Sequence, residues 1–406
     1  MSPTKEQKKA VTVVSLITAL CLLGDSMLYV ALPIYYQQVG LASLWEVGLI
    51  LSINRFIRIP VNPIVGWAYR KLSLRVGLVI SVILAVITTI GYGVGYGLVI
   101  WLVLRILWGI AWSFLRLGGF LLVVGISNDS NRGENIGRYN GLYRLGSLGG
   151  MLGGGILAAV IGFEWTAILF GISMLAGIPI VLHAIPKNVL TTSTDEPMIK
   201  QPNIKMKPAH KTVAVILSGM VIAFLIQGVF SSSISLVMAD HFGDELFLIG
   251  LTVGVTALAG ILQGVRWLWE PYLAKKFGEW SDGDRGRLPL YIGSLIVSMI
   301  GFLLIPIQFS IFIWVGLALI LMTASTALTT IGDALTADVA KSGDANRVLT
   351  IYTVFLDVGA ALGPLFIYGS LSIGLSLQQA FSLSAALFLL LVVYWVVAYR
   401  KVDFVY

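Results

Sequence analysis

This sequence is short of charge, cysteine and histidine. Charged residues make up 12% of its 406 positions, whereas soluble globular chains carry about 25%, so a soluble enzyme or binding domain is excluded. The single cysteine, Cys21, allows neither an internal disulfide nor a cysteine metal cluster. The chain contains no P-loop, Walker lysine or H-E-x-x-H motif, which leaves ATP hydrolysis and metalloprotease activity without a basis. We therefore expect no enzymatic activity, no cofactor and no metal site.

Long apolar runs are what the sequence does have. Apolar residues make up 57% of the chain, and its mean hydropathy is +0.91. A helix that crosses a bilayer needs about 20 mostly apolar residues, and twelve such stretches lie between polar or Gly/Pro breaks. The predicted spans are residues 11–36, 46–69, 75–95, 98–124, 138–161, 164–183, 212–238, 247–272, 288–307, 311–337, 348–369 and 377–399. The sequence therefore predicts an all-α polytopic membrane protein with twelve transmembrane helices.

The predicted spans fall into two sets of six. One long polar stretch, rich in Thr, Asp, Pro and Lys, separates the sixth span from the seventh and is typical of a linker. This predicts an N-terminal bundle (1–186), a linker (187–211) and a C-terminal bundle (212–406). In both the fifth and the eleventh span an ionisable residue precedes a G-x-x-x-G pair by two positions, which indicates an internal repeat. Two such repeats are typical of a transporter that rocks one half against the other.

Basic residues predict the orientation of the chain, because Lys and Arg are retained on the cytoplasmic side of a membrane. Of the 27 Lys and Arg residues, 21 lie in the N-terminal segment, the linker, the C-terminal segment and the loops after even-numbered spans. The opposite loops contain none. We therefore expect an integral protein of the cell membrane with both termini in the cytoplasm. The net charge of +7 is then a product of topology, and nucleic-acid binding is not expected.

Two segments of the N-terminal bundle follow recognisable patterns. The loop after the second span, residues 66–75, is similar to the pattern G-x-x-x-D-R-x-G-R-R, and its departures include Arg70 in place of the Asp and Ser73 in place of the second Gly. In the fourth span, residues 105–109 follow R-x-x-x-G. Both patterns are signatures of the major facilitator superfamily of transporters, which the chain resembles over essentially its whole length.

Two further segments are similar to patterns found in parts of that superfamily. Residues 146–155 resemble the glycine-rich motif associated with antiporters, with Met151 in place of its Pro. Residues 25–33 are like the first-helix pattern of drug exporters. The resemblance implies twelve helices in two six-helix repeats and secondary active transport by alternating access. More specifically, it implies proton-coupled export, or antiport, of a small organic molecule by a monomer whose partners are that substrate, protons and the lipid bilayer.

Glycines and basic loop residues are the candidate gating positions. The basic turn after the second span is expected to form part of an inner gate, and the two G-x-x-x-G pairs are expected to supply close helix contacts where the halves meet. The gating candidates are Gly66, Arg70, Lys71, Gly146, Gly150, Gly359, Gly363 and Pro364.

Ionisable residues inside the spans are the candidate transport residues, because a charge at bilayer depth is costly and usually faces a cavity or a partner. In the second span, i, i+3, i+7 spacing places Arg55, Arg58 and Asn62 on one helix face. In the fourth span, Arg105, Trp112 and Arg116 share a face in the same way. The substrate and proton-coupling candidates are Asp25, Arg55, Arg58, Asn62, Arg105, Trp112, Arg116, Arg144, Asp333 and Asp357.

Two interpretations of these charges stay open. Asp25 is either a carboxylate that takes up and releases the coupling proton or one member of a fixed salt bridge, with Arg55 or Arg58 as its partner. The arginines either bind substrate or form structural ion pairs. If they bind substrate, the alternative function is uptake or exchange of a small organic anion through an arginine-lined cavity.

Overall fold

The computed structural model describes residues 5–127, 131–185, 210–248, 251–282, 286–340 and 345–400. Most of the predicted linker, residues 187–209, lies outside this part of the chain. Before the linker the helices are α1 (Lys5–Tyr35), α2 (Leu44–Ala68), α3 (Leu74–Val94), α4 (Leu98–Gly125), α5 (Arg132–Ile161), α6 (Phe163–Met174) and α7 (Gly177–Ala184).

The second half begins with α8 (His210–Ile222), which continues through a π-helical segment (Ala223–Phe230) into α9 (Ser231–Phe242). A short hairpin of β1 (Glu245–Leu248) and β2 (Leu251–Gly254) follows. The remaining helices are α10 (Val255–Ser281), α11 (Arg287–Leu304), α12 (Ile311–Ala340), α13 (Ala345–Ser372) and α14 (Leu377–Arg400). An all-α polytopic membrane protein is thus confirmed as the fold class.

Ten stretches of the described chain are long and apolar enough to cross a membrane, and they coincide with ten of the twelve predicted spans. The other two predicted spans correspond to α2 and α10. Both are long helices, of 25 and 27 residues. Charged residues within these helices lower their hydropathy, namely Arg55 and Arg58 in α2 and Arg266 and Glu270 in α10.

The start of the eighth predicted span is wrong. Residues 247–254 were expected to be helical, but Glu245 pairs with Gly254 and Leu248 with Leu251 in an antiparallel hairpin, and the helix begins only at Val255. Hydropathy alone cannot distinguish the two structures. Four-residue apolar runs on either side of a glycine favour a hairpin, because a glycine inside a helix costs about 1 kcal/mol relative to alanine.

The sixth predicted span, 164–183, is interrupted. It divides into α6 and α7 at Leu175 and Ala176. Pro179 explains the break, because proline has no N–H to donate and its ring collides with the carbonyl four residues earlier. That carbonyl belongs to Leu175, where the regular helix ends.

Contacts between Cα atoms divide the chain into two compact units. Unit 1 comprises Met1–Leu41, Ile53–Met206 and Thr256–Gly264. Within it α1 packs along α5, and α3 packs against α4 and α6. The largest fully buried side chains of this unit include Trp101, Trp108, Tyr92, Tyr139 and Phe163.

Unit 2 comprises Ala42–Ser52, Lys207–Val255 and Val265–Tyr406. Within it α13 packs against α8 and the π-helical segment, and α11 packs against α12 and α14. The pairing of α13 with α8 repeats the pairing of α5 with α1 in unit 1. This equivalence is what the repeated G-x-x-x-G pattern predicts, since each repeat uses its glycine helix in the same way.

The two G-x-x-x-G pairs do not lie where the sequence analysis placed them. A Cβ on Gly146 would overlap the backbone of Ala19 in α1, and one on Gly150 would lie 2.5 Å from the Leu23 carbonyl oxygen. In unit 2, a Cβ on Gly359 would overlap the Met220 carbonyl oxygen. The expectation of contacts between the halves is therefore wrong for these glycines, because each pair fits its helix against a neighbour inside its own unit.

Gly363 completes the second pair. A Cβ on it would lie 2.6 Å from the Phe224 carbonyl oxygen and would overlap Gly228. Phe224 and Gly228 both belong to the π-helical segment. The backbone of this segment therefore touches the backbone of α13 where Gly228 meets Gly363, with no side chain between them. A π-helical turn is rare and is frequently found at functional sites.

Candidate functional site

The centre of the candidate site is an ion pair between α1 and α4. Arg105 Nη1 lies 2.5 Å from Asp25 Oδ1. The Arg105 side chain has no exposed surface and the Asp25 side chain is 14% exposed. The sequence analysis considered Arg55 and Arg58 as the basic partner of Asp25, whereas the structure brings Arg105 to it. A charge-assisted contact of this length in a buried position is a strong interaction.

Neighbouring polar groups orient this pair. Asn54 in α2 donates from Nδ2 to the same Asp25 oxygen at 3.4 Å. Arg105 Nη1 also donates to the Tyr92 hydroxyl in α3 at 3.3 Å. The Tyr92 ring is stacked on Trp101, with 5.1 Å between ring centroids. Four helices therefore converge on one carboxylate and one guanidinium.

Glycines explain why these helices approach so closely. Gly109 lies one turn after Arg105, and a Cβ there would lie 2.8 Å from the Asn54 carbonyl oxygen. Gly24 precedes Asp25, and a Cβ there would lie 2.6 Å from Thr89 Oγ1 in α3. The glycine of the R-x-x-x-G signature thus admits α2 beside the arginine. Sequence reasoning missed Asn54 and Tyr92, and the only signal for Asn54 was a polar residue within an apolar run.

The other α2 candidates extend from this centre. Arg55 Nε donates to the Tyr29 hydroxyl of α1 at 3.4 Å, and Arg55 and Arg58 are both half-buried. Asn62 is exposed. Exposure therefore increases along the predicted face of α2, from half-buried Arg55 and Arg58 to exposed Asn62.

A second cluster joins α4 and α5 around Arg116. Its guanidinium carbon lies 4.8 Å from the Tyr143 ring centroid and 5.3 Å from that of Tyr139. Nη1 donates to Asn140 Oδ1 at 3.1 Å. Trp112 meets Tyr143 edge-on, with 6.1 Å between ring centroids. The predicted pairing of Trp112 with Arg116 on one face of α4 is consistent with this cluster.

Arg144 is exposed on α5, one turn beyond Asn140. Apart from Glu6, Glu134 and Glu164, which lie near the starts of helices, Asp25 is the one acidic residue in the described helices of unit 1. The described helices of that unit contain eight arginines, including Arg55, Arg58, Arg105, Arg116 and Arg144, and one deeply placed carboxylate. That these arginines make the N-terminal half of the cavity electropositive stays a prediction.

The candidates of unit 2 are dispersed by comparison. The Tyr352 hydroxyl donates to Asp333 Oδ1 at 3.0 Å, which joins α13 to α12. Asp357 is half-buried in α13. In α10, Arg266 Nε and Glu270 Oε2 are 3.8 Å apart, an ion pair too long for a hydrogen bond.

The polar end of α11 contains an ion network that the sequence analysis missed. Arg287 lies 2.9 Å from Asp282 Oδ1 and 2.7 Å from Asp338 Oδ2. It ties the turn after α10 to the end of α12. The sequence signal for this network is the charged segment after Gly278, which had indicated only the orientation of the chain in the membrane. Across the described residues, no three His, Cys, Asp or Glu side chains are placed to bind a metal ion.

The other gating candidates of the first repeat, Gly66, Arg70 and Lys71, lie at or just after the end of α2. A Cβ on Gly66 would lie 3.8 Å from its nearest neighbour, Leu117, so this glycine is not required by packing. Arg70 is exposed, and the Lys71 ammonium lies 4.4 Å from the Trp67 ring centroid. These positions are accessible to a partner surface, and their gating role stays a prediction.

Pro364 has a different environment. A Cβ on Gly48, near the start of α2, would lie 2.6 Å from the Pro364 carbonyl oxygen. Both residues belong to unit 2. The α2–α13 contact is therefore another close backbone approach that depends on glycine.

Gly155 forms a comparable contact that sequence analysis had not singled out. A Cβ on it would lie 3.1 Å from Gly260 Cα and would overlap the Thr256 carbonyl oxygen, so α5 and the first turns of α10 touch through backbone within unit 1. We expect Gly155→Ala to lower the free energy of unfolding by about 1–3 kcal/mol, because overpacking forces the helices apart. Thermal unfolding of the purified protein measures this. Gly153→Ala is the matched control, since its Cβ would have 3.8 Å of clearance from Phe170, and equal losses in the two variants would contradict the interpretation.

The long apolar helices define a polytopic membrane protein. The sequence profile of the Major Facilitator Superfamily matches residues 14–283. The chain therefore belongs to the major facilitator superfamily. A search of curated protein sequences gives no significant match.

Solved structures with the same fold cover nearly the whole chain. A peptide transporter of the POT family in complex with alafosfalin has a TM-score of 0.77 and 14% identity, and the alignment covers 97% of this chain and 94% of that one. A bacterial homolog of the human lysosomal transporter Spinster, in an inward-facing and occupied conformation, has a TM-score of 0.71 and 16% identity over 98% of both chains. A POT family transporter in complex with a thioalcohol-conjugated peptide has a TM-score of 0.75 and 13% identity over 97% of this chain and 96% of that one. At these identities the similarity shows a shared fold.

Proposed function

We propose that this protein is a proton-coupled exporter of a small organic molecule, with Asp25 and Arg105 as its coupling pair. The observation that carries the proposal is the 2.5 Å contact between the carboxylate and a guanidinium with no exposed surface. Arginine stays protonated in proteins, so the charge of this pair changes only when Asp25 takes up or releases a proton. A charge change at bilayer depth is large enough to bias a conformational equilibrium.

The hydrogen bonds around the pair support this role. When Asp25 is protonated, Arg105 keeps the Tyr92 hydroxyl as an acceptor, and Asn54 still reaches the carboxyl group. The guanidinium therefore remains oriented while the local charge rises by one. In an antiporter the proton and the substrate bind alternately, and each favours a different access state.

Alternating access is proposed to arise from rocking of residues 1–186 against 212–406, with Arg70 and Lys71 at the inner gate. The distribution of basic residues supports a cell-membrane location with both termini in the cytoplasm. Membership of the superfamily supports secondary transport, in which an ion gradient or the gradient of the substrate supplies the energy.

Asp25→Asn tests the coupling. Asparagine resembles the protonated carboxyl group and cannot release a proton, so the substrate accumulation ratio driven by a pH gradient should fall to about 1 while downhill exchange persists. The measurement is flux in proteoliposomes with the membrane potential clamped, using a panel of cationic, neutral and anionic compounds. Asp338→Asn is the matched control, because that carboxylate is also paired with an arginine but lies at the polar end of α12. Undiminished accumulation by Asp25→Asn would disprove the proposal.

The excess of arginines supports a second candidate, uptake or exchange of a small organic anion. Arg55, Arg58, Arg116 and Arg144 outnumber the single deep carboxylate of unit 1. This function predicts exchange of an anion that needs no pH gradient. It would be retained in Asp25→Asn and lost in Arg58→Gln, which is the reverse of the pattern expected for the coupled exporter.

A further inference from the structure

Arg116 is a cation inside a membrane span whose described contacts include no carboxylate. It lies nine residues before the end of α4, or about 13 Å along the helix at 1.5 Å per residue. Its guanidinium donates a hydrogen bond to Asn140, a neutral acceptor. A guanidinium has five N–H donors, and a charge at this depth normally has an opposite charge beside it.

The surroundings of Arg116 fix its position. Tyr139 is fully buried, and a Cβ on Gly119 would lie 2.5 Å from its hydroxyl oxygen, so the ring is held against α4. The guanidinium faces this ring and that of Tyr143. Arg116, Asn140 and Tyr143 are only half-buried, which leaves the cluster accessible from one side. It is therefore a preformed cationic centre rather than a flexible surface charge.

We propose that this cluster binds the carboxylate of a flat aromatic acid and that this acid is the transported molecule. The positive charge of Arg116 would repel a cationic ligand, and Arg116 already lies over the faces of the two tyrosine rings. A carboxylate would instead accept two parallel hydrogen bonds from the guanidinium fork. Asp25 does not oppose an anion, because its charge is neutralised by Arg105.

Trp112 supplies the contact for the ring of the ligand. It is half-buried, lies one helical turn from Arg116, and packs against Trp108 with 6.3 Å between ring centroids. Aromatic rings pair well in offset or edge-on arrangements. An anionic group on the arginine and a flat group on the indole together define an aryl carboxylate. The proposal rests on the proposed transport function only in making this ligand the substrate.

The test is direct binding to the purified full-length protein in nanodiscs, measured by calorimetry without any gradient. The probes are benzoate, benzyl alcohol, benzylamine and phenyl phosphate. We expect benzoate to bind the wild type and the Kd to rise about tenfold or more in Arg116→Gln, the loss of a charge-assisted hydrogen bond. Arg116→Lys should bind with intermediate affinity, because it keeps the charge and loses the fork.

Arg138→Gln is the matched control, since Arg138 is exposed on α5 and donates to Thr12 instead. It should bind benzoate like the wild type. Unchanged binding by Arg116→Gln, absence of benzoate binding to the wild type, or tighter binding of benzylamine would each overturn the subsite. Tighter binding of phenyl phosphate would overturn the carboxylate assignment in favour of a phosphate ester. Gel filtration and the Lys variant separate loss of binding from loss of folding, and a failure of proton coupling in flux assays would leave this binding result unaffected.

Discussion

Arg105→Gln is expected to destabilise the protein and to abolish gradient-driven transport. Adding Asp25→Asn is expected to restore the stability but not the transport. Removing the guanidinium leaves the Asp25 carboxylate without its 2.5 Å partner in a position that is 14% exposed. Breaking one side of a buried ion pair costs about 3–5 kcal/mol, whereas replacing both charges by neutral groups is often close to neutral. The double variant should therefore fold nearly as well as the wild type.

The double-mutant cycle separates a structural pair from a coupling pair. Thermal unfolding in detergent measures stability, and proteoliposome flux measures coupling. If Asp25 carries the transported proton, the double variant is stable but does not use a pH gradient, because neither residue can then change charge. Recovery of coupled transport together with stability would mean that the pair is only a structural contact.

Gly146→Leu and Gly359→Leu are expected to prevent stable folding of their respective units. At both positions a Cβ already overlaps a backbone carbonyl oxygen, that of Ala19 for Gly146 and that of Met220 for Gly359. A backbone cannot move aside as a flexible side chain can, so the cost should exceed about 3 kcal/mol, the upper end of typical overpacking. Little monodisperse protein should be recovered.

Each of these variants has a control on its own helix. Nothing lies within 4 Å of a Cβ at Gly141 in α5 or at Gly369 in α13, so leucine at either position should be tolerated. Yield and gel-filtration profile are the measurements. Normal recovery of Gly146→Leu would show that the α1–α5 crossing can open. Equal losses at Gly141 would show that leucine is harmful anywhere on α5.

These glycines illustrate what a small-residue pattern conveys. Gly146 and Gly150 indicate that another helix packs closely against α5, because only the single hydrogen of a glycine side chain allows two helix backbones to touch. They do not indicate which helix approaches. Sequence analysis assigned them to the boundary between halves, whereas the partner is α1 in the same unit. The glycine that does meet α10, Gly155, belongs to the same run and was not distinguished from its neighbours.

The arginines illustrate the same division. Their presence within the spans, their excess over acids and the helix face of each could be predicted, because these follow from hydropathy and the 3.6-residue period. The choice of Arg105 over Arg55 or Arg58 as the partner of Asp25 could not. That pairing depends on how α1 and α4 pack. It also depends on Gly109, which lets α2 approach α4 closely enough for Asn54 to reach Asp25.

Composition and periodicity by themselves determined that this is a helical membrane protein, because backbone hydrogen bonds in lipid must be satisfied within each helix. The two six-helix repeats stay a prediction. Local backbone conformation was harder to predict from the sequence. The hairpin before Val255 and the break before Pro179 both interrupt apolar runs that look continuous by hydropathy. Only the tertiary structure decided which charges meet. A pair such as Asp25 and Arg105, 80 positions apart in sequence, forms because of the packing of several helices at once, and no local pattern in either helix specifies that packing.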